Sequence, residues 1–225
     1  MSGIIEQMQT EIEMLRSQVA ELKATIEKQT ANNHEQIIKS QQQHRDKIIE
    51  RAKDDVTRLI DMGKSYELDL NIDYPFDGNF YNVKFIVNKE KRTVVALAYI
   101  IKPNDILLDK FEYKNKTPKS RGIAKCAPTD CFNVHIGKAI ALRRALGLHV
   151  PYEYRDAPQP TEVRVGDIVD WGWKKLSYKI ADGYRVICLN NGKDMTEYAD
   201  IKYARIIDDS RENIIHMTKV KEEEK

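Results

Sequence analysis

Gly122-Ile-Ala-Lys-Cys-Ala-Pro-Thr-Asp-Cys-Phe-Asn-Val-His-Ile-Gly-Lys-Ala-Ile-Ala-Leu-Arg-Arg-Ala-Leu-Gly147 is the stretch that decides the fold. It reads as a strand end, a turn and a helix. Pro128 stops the strand. Thr129, Asp130 or Asn133 can cap the helix, because a short polar side chain accepts a bond from an orphan backbone N–H. Phe132, Ile136, Ala139, Ile140 and Leu146 recur at helical spacing and predict one apolar face. Gly147 suits the end, where a left-handed residue is cheapest. Lys138, Arg143 and Arg144 ride on this helix. They form the chain's best cationic cluster for an anionic ligand, although adjacent arginines point about 100° apart and either one can be solvated or paired with a carboxylate.

Upstream, a strand-rich segment feeds this helix. Phe80–Val87 and Thr93–Ile101 are rich in β-branched and aromatic residues and are joined by the charged run 88–92, which predicts a hairpin. Arg121–Lys125 is the third strand. Weaker strand patterns lie at 66–72 and 106–111. The expected unit, residues 64–149, is an antiparallel sheet with a helix over one face.

The amino-terminal part is different. Ile5, Met8, Ile12, Leu15, Val19, Leu22 and Ile26 step by three and four, a heptad line with β-branched residues at a and Leu15 and Leu22 at d. That assortment predicts a parallel two-stranded coiled coil, hence a homo-oligomer through residues 5–26. Glu11 at g can meet Arg16 at e of a partner. Polar Gln29, Asn33 and Gln36 take the next core positions, within the Gln- and Asn-rich stretch 30–44. Apolar spacing resumes at Ile49, Ala52, Val56 and Leu59 in another phase. The expectation is a coiled-coil segment over 1–63, either one rod or two helices meeting near residue 30.

Downstream, three prolines stiffen a linker at 150–161. Short strands are then expected at 162–165, 167–170, 178–181, 184–190 and 203–207, with turns at Gly166-Asp167, Asp182-Gly183 and Asn191-Gly192. Such spacing predicts an SH3-like barrel over 162–209, followed by a charged, frayed tail over 210–225. The fold class expected is therefore α+β: coiled coil, small sheet-and-helix domain, and barrel.

The motif Gly122-x-Ala124-x-Cys126-x-Pro128-x-Asp130-x-Phe132, followed by Gly137, Ala141 and Arg144-Ala145, resembles a small domain of Bacillus-phage and mobile-element proteins. It is similar, more distantly, to the phage Thoeris anti-defence proteins. Those are non-enzymatic oligomers that sequester cyclic ADP-ribose-type signals. The resemblance covers roughly Tyr81 to Leu148. It implies a phage-encoded protein of the host cytoplasm that sequesters a phosphate-bearing nucleotide, with Phe132 as a stacking candidate and Arg143 or Arg144 as a phosphate-binding candidate.

Composition and motifs narrow the classes. A net charge of +2 supplies no global field for nucleic acid or membrane. No apolar run approaches a membrane span, and the start lacks the pattern of a signal peptide. Three cysteines, an odd count, argue for a reducing compartment. Cys126, Cys131 and His135 do not match the usual zinc spacing, and no nucleotide-loop or hydrolase motif occurs. No metal, cofactor or catalytic residue is therefore expected, and the chain reads as a binding protein rather than an enzyme. The alternatives are a structural or adaptor protein of phage assembly, and a nucleic-acid binder. The latter would use Trp171, Trp173, Lys174, Lys175 and Arg185 of the barrel, with Lys114, Lys116 and Lys119 of the basic loop.

Overall fold

In the computed structural model, the described residues are 2–64, 76, 79–102, 113, 116–170, 178–182, 185–189, 194–195 and 204–212. Helix α1 runs unbroken over Ser2–Met62, so the polar section is not a break. At 1.5 Å per residue it is about 90 Å long. Strands β1 (Tyr81–Asn88), β2 (Thr93–Ile100) and β3 (Ser120–Lys125) form an antiparallel sheet in that order. The hairpin and the third strand stand where the residue pattern puts them. Helix α2 spans Val134–Ala145. The Asn133 side chain caps it, accepting from the backbone N–H groups of His135 and Ile136 at 3.0 and 3.1 Å. Gly147 closes the turn at φ +72°, as its position predicts.

Alternation explains the packing. Val94, Ala96, Ala98 and Ala124 face α2 and are buried with Leu142, Ala141 and Ala145. Gly122 lets α2 approach closely: a Cβ there would lie 2.0 Å from the Ala141 carbonyl oxygen and 2.5 Å from the Ala145 nitrogen. Neither backbone atom can swing aside. Gly122→Ala is therefore expected to cost about 3 kcal/mol, the upper end for overpacking, as a lower midpoint in urea unfolding.

The carboxy-terminal half of α1 belongs to this globular part. Ile48, Ile49 and Ala52 pack against Ile136, Ala139 and Tyr154, and Leu59 joins the sheet core. The second apolar phase of the helix is thus an intramolecular face. The proline-containing segment is likewise docked on α1. A short helix α3 (Tyr152–Arg155) buries Tyr154. The Thr161 hydroxyl donates to the Ile38 carbonyl at 3.0 Å, and Gln42 Oε1 accepts from the backbone of Thr161 and Glu162.

A second antiparallel sheet holds β4 (Ile168–Asp170), β5 (Tyr178–Asp182), β6 (Arg185–Cys188), β7 (Asp194–Met195) and β8 (Arg205–Asp208). The order is β7-β6-β5-β4-β8, and no pairing of β7 with β8 closes it among the described residues. The expected strand at 162–165 is instead the entry to a turn. Asp167 Oδ2 accepts from the Arg164 N–H at 2.8 Å, and Gly166 takes φ +94°. Two further corrections concern the seam between the sheets. Phe132 lies before α2, not on its apolar face. It bridges to Asp208 of β8, donating to the Ile207 carbonyl while its own carbonyl accepts from Asp209. Of the tail expected over 210–225, Ser210 is buried, and residues 213–225 lie outside the described residues. The strand patterns at 66–72 and 106–111 and the Asn191-Gly192 turn lie outside the described residues.

Candidate functional site

The cationic helix α2 is built into the fold. Arg143 forms a two-bond fork on Asp55 of α1, Nε to Oδ2 at 2.5 Å and Nη2 to Oδ1 at 2.7 Å, and Nη1 donates to the His149 carbonyl. Burial alone would lower its affinity for a proton, but the hydrogen bond to Asp55, the largest influence, holds its pKa above the ordinary value. Arg144 Nη1 donates to the Ile123 carbonyl at 2.5 Å. Lys138 pairs with Glu212 at 3.1 Å. Phe132, the stacking candidate, is 3% exposed and its ring belongs to the core. Phe132 and Arg144 line one cleft, but Lys138 and Arg143 do not, so the four residues do not converge on one open site. Two of them tie α2 to other elements by ion pairs, and that geometry was not visible from spacing along the helix.

Of the basic and aromatic alternatives, Lys116 and Lys119 are exposed, and Arg185 contributes backbone to β6. Lys114, Trp171, Trp173, Lys174 and Lys175 lie outside the described residues. A cleft of about 240 Å³ opens between the β3–α2 turn and residues 154–159. Its rim carries Lys125, Arg144 and Arg155 with Asp130. The Cys126 thiol also lines it; burial raises its pKa, against the Arg92 charge.

The most constrained polar group sits in the seam. Arg45 is 1% and Asp209 2% exposed. Arg45 donates through Nε and Nη2 to the two Asp209 oxygens at 2.6 and 2.9 Å, and through Nη1 to the Pro158 carbonyl. Asn133 Nδ2 donates to Asp209 Oδ1 at 2.9 Å. The backbone N–H of Val134 donates to the Ser210 hydroxyl at 2.8 Å. Burial pushes the Asp209 carboxyl up, but Arg45 outweighs it and holds the group below its ordinary value. This network joins α1, α2 and the β8 end.

Nearby His135 is held below its ordinary 6.5, first by burial and then by the charge of Lys53. The unfolded imidazole takes up a proton at higher pH than the folded one. Its contribution is complete above about pH 6.5 and is lost as pH falls through the folded pKa. Unfolding free energy is expected to decline over that window by at most about 1.4 kcal/mol per pH unit. His135→Gln should flatten the slope measured by urea titration.

The remaining feature is the free half of α1. Met8, Leu15, Val19, Leu22 and Ile26 are 51–61% exposed. They form a line with no partner among the described residues of this chain. Continuing their seven-residue period along the unbroken helix separates two faces. Gln42, Arg45, Ile48, Ile49, Ala52, Asp55, Val56 and Leu59, which face the globular part, all fall at b, c or f. Ser40, Gln43, Lys47, Glu50, Asp54 and Thr57 fall at a or d, and every one is exposed. The buried contacts with the globular part thus centre on the side of the heptad wheel opposite the apolar line, while Asp46 and Ile60 at g and Arg51 at e touch it from the flanks.

Comparison with protein-family models, with curated proteins and with solved structures finds no match. No helix among the described residues is long and apolar enough to cross a membrane.

Proposed function

We propose that this is a non-enzymatic, homo-oligomeric binding protein: a parallel two-stranded coil that displays α+β heads on its outside. The observation that carries this is the exposed apolar line, set at a and d while the head hangs mainly from b, c and f. Those are the outward positions of a coil, so two chains can zip without their heads colliding. Five large apolar side chains on a free helix are otherwise a liability in water. Gln29, Asn33 and Gln36 at successive core positions make the seam weaker beyond Ile26, since polar core residues cost stability. Beyond Gln43 the seam would stack Lys47, Glu50 and Asp54 against their own copies, which costs desolvation. The helices diverge there and the heads separate.

Two heads on one stalk raise avidity for a multivalent target through effective concentration. The strand order of the second sheet, a meander whose last strand returns beside the first, supports an SH3-like reading of that part. The resemblance to phage proteins supports an adaptor or sequestering role in that setting. The engagement of Lys138, Arg143 and Arg144 within the chain weighs against a nucleotide held by α2 and toward a macromolecular partner. Cross-linking tests the coil. Leu22→Cys, at d, is expected to give an oxidised dimer in high yield, and Ser17→Cys, at f, is not. Equal yields would overturn the parallel seam.

A further inference from the structure

We propose that the outer face of the β1–β2–β3 sheet, the side turned away from α2, is a docking surface for an acidic, amphipathic protein segment. The strand registers lay this face out as a grid. Ile86, Val95 and Ile123 stand side by side in one row, flanked by Lys84, Leu97 and Arg121 on one side and Asn88, Thr93 and Lys125 on the other. Ile86 is 48% and Ile123 42% exposed at the two edges, while Val95 and Leu97 are half-buried between them. The centre is therefore an apolar band across three strands.

Its charge has one sign. Lys84, Arg121 and Lys125 project from this face, and none of the grid positions holds a carboxylate. None of these three cations takes part in an ion pair among the described residues, whereas Lys138 and Arg143 on α2 are both paired. Cations beside an apolar band complement a segment that carries aliphatic residues on one side and Glu or Asp on the other. Single-stranded nucleic acid fits less well, because it needs aromatic faces for stacking. The ring at the end of the grid, Tyr99, is 5% exposed and packs edge-on against Tyr113. The face also lies on the far side of the sheet from α2 and α1. If the coil reading holds, it points outward in the oligomer and binds twice.

The test uses the full chain and three labelled, monovalent probes followed by fluorescence anisotropy. They are a 16-residue helix with Leu on one side and Glu on the other, the same helix with Lys for Glu, and a 20-nucleotide single-stranded DNA. A monovalent probe reads the affinity of one head, so its outcome does not depend on the oligomer, whose mass is measured separately. The Glu helix is expected to bind about tenfold or more tightly than the Lys helix. Ile86→Glu, Ile123→Glu and the exposed charge reversal Lys84→Glu should each weaken it about tenfold, with unchanged helical circular dichroism. Failure of the Glu helix to bind, equal binding of the two helices, or binding indifferent to all three substitutions would overturn the proposal. Preferential DNA binding lost in the same variants would overturn it in favour of nucleic acid.

Discussion

Arg45→Ala should lower the unfolding free energy by about 3–5 kcal/mol, the cost of leaving one charge of a buried pair without its partner. The abandoned group is Asp209, which keeps only Asn133 Nδ2 and the weak Cys131 thiol close to its carboxylate. Asp209→Ala should cost as much, because Arg45 then sits 1% exposed with the Pro158 carbonyl as its main acceptor. The double variant Arg45→Met, Asp209→Leu is expected to recover much of the loss, since two apolar side chains leave no charge stranded. Chemical denaturation of wild type and the three variants compares them directly. Single variants that unfold at the wild-type midpoint would show that the pair does not hold the seam. The pH dependence has a fixed sign. The folded pKa of Asp209 lies below its ordinary 3.8, so the pair's contribution is complete above about pH 4 and is lost as acid protonates the carboxylate. Burial moves Asp167 and Asp208 upward instead, and those two act with the opposite sign and in the window above their ordinary 3.8, where stability rises as they take up protons.

Leu15→Glu with Leu22→Glu should convert the proposed oligomer to single chains while leaving the head's thermal midpoint within a degree or two. Each substitution puts like charges face to face at d, where the proposed seam is apolar. The apolar gain lost is about 1.5–3 kcal/mol per leucine per chain, before repulsion is counted. The heads should be indifferent. Their contacts with α1 begin near Ile38 and Gln42, at least sixteen residues further along. Size-exclusion chromatography with light scattering reads the mass, and calorimetry reads the midpoint. A head that melts earlier in this variant would place the apolar line in the fold of the single chain.

The elements were legible where side-chain period and backbone chemistry agree. Thr93–Ile101 alternates, the run 88–92 turns, and Gly147 stops the helix; each is a local property of a few residues. Phe132 was misread because it fits the helical period, while its backbone pairs with a strand more than seventy residues away. Ser210 opens the segment read as a tail and is buried because its hydroxyl accepts from the Val134 N–H at the start of α2. No local signal marks Arg45, which lies in a polar stretch and whose partner is 164 residues distant in sequence. Arg143 and Arg144 announce positive charge, but spacing along one helix says nothing of Asp55 on another. The two phases of α1 were readable in sequence. That the second phase packs on the head became apparent only from the burial of Ile48, Ala52 and Leu59.

Sedimentation equilibrium of the intact chain at micromolar concentration tests the central claim most directly. The account predicts a species of twice the 26.1 kDa of one chain, persisting on dilution to about 1 µM. A single-chain mass at that concentration would contradict it.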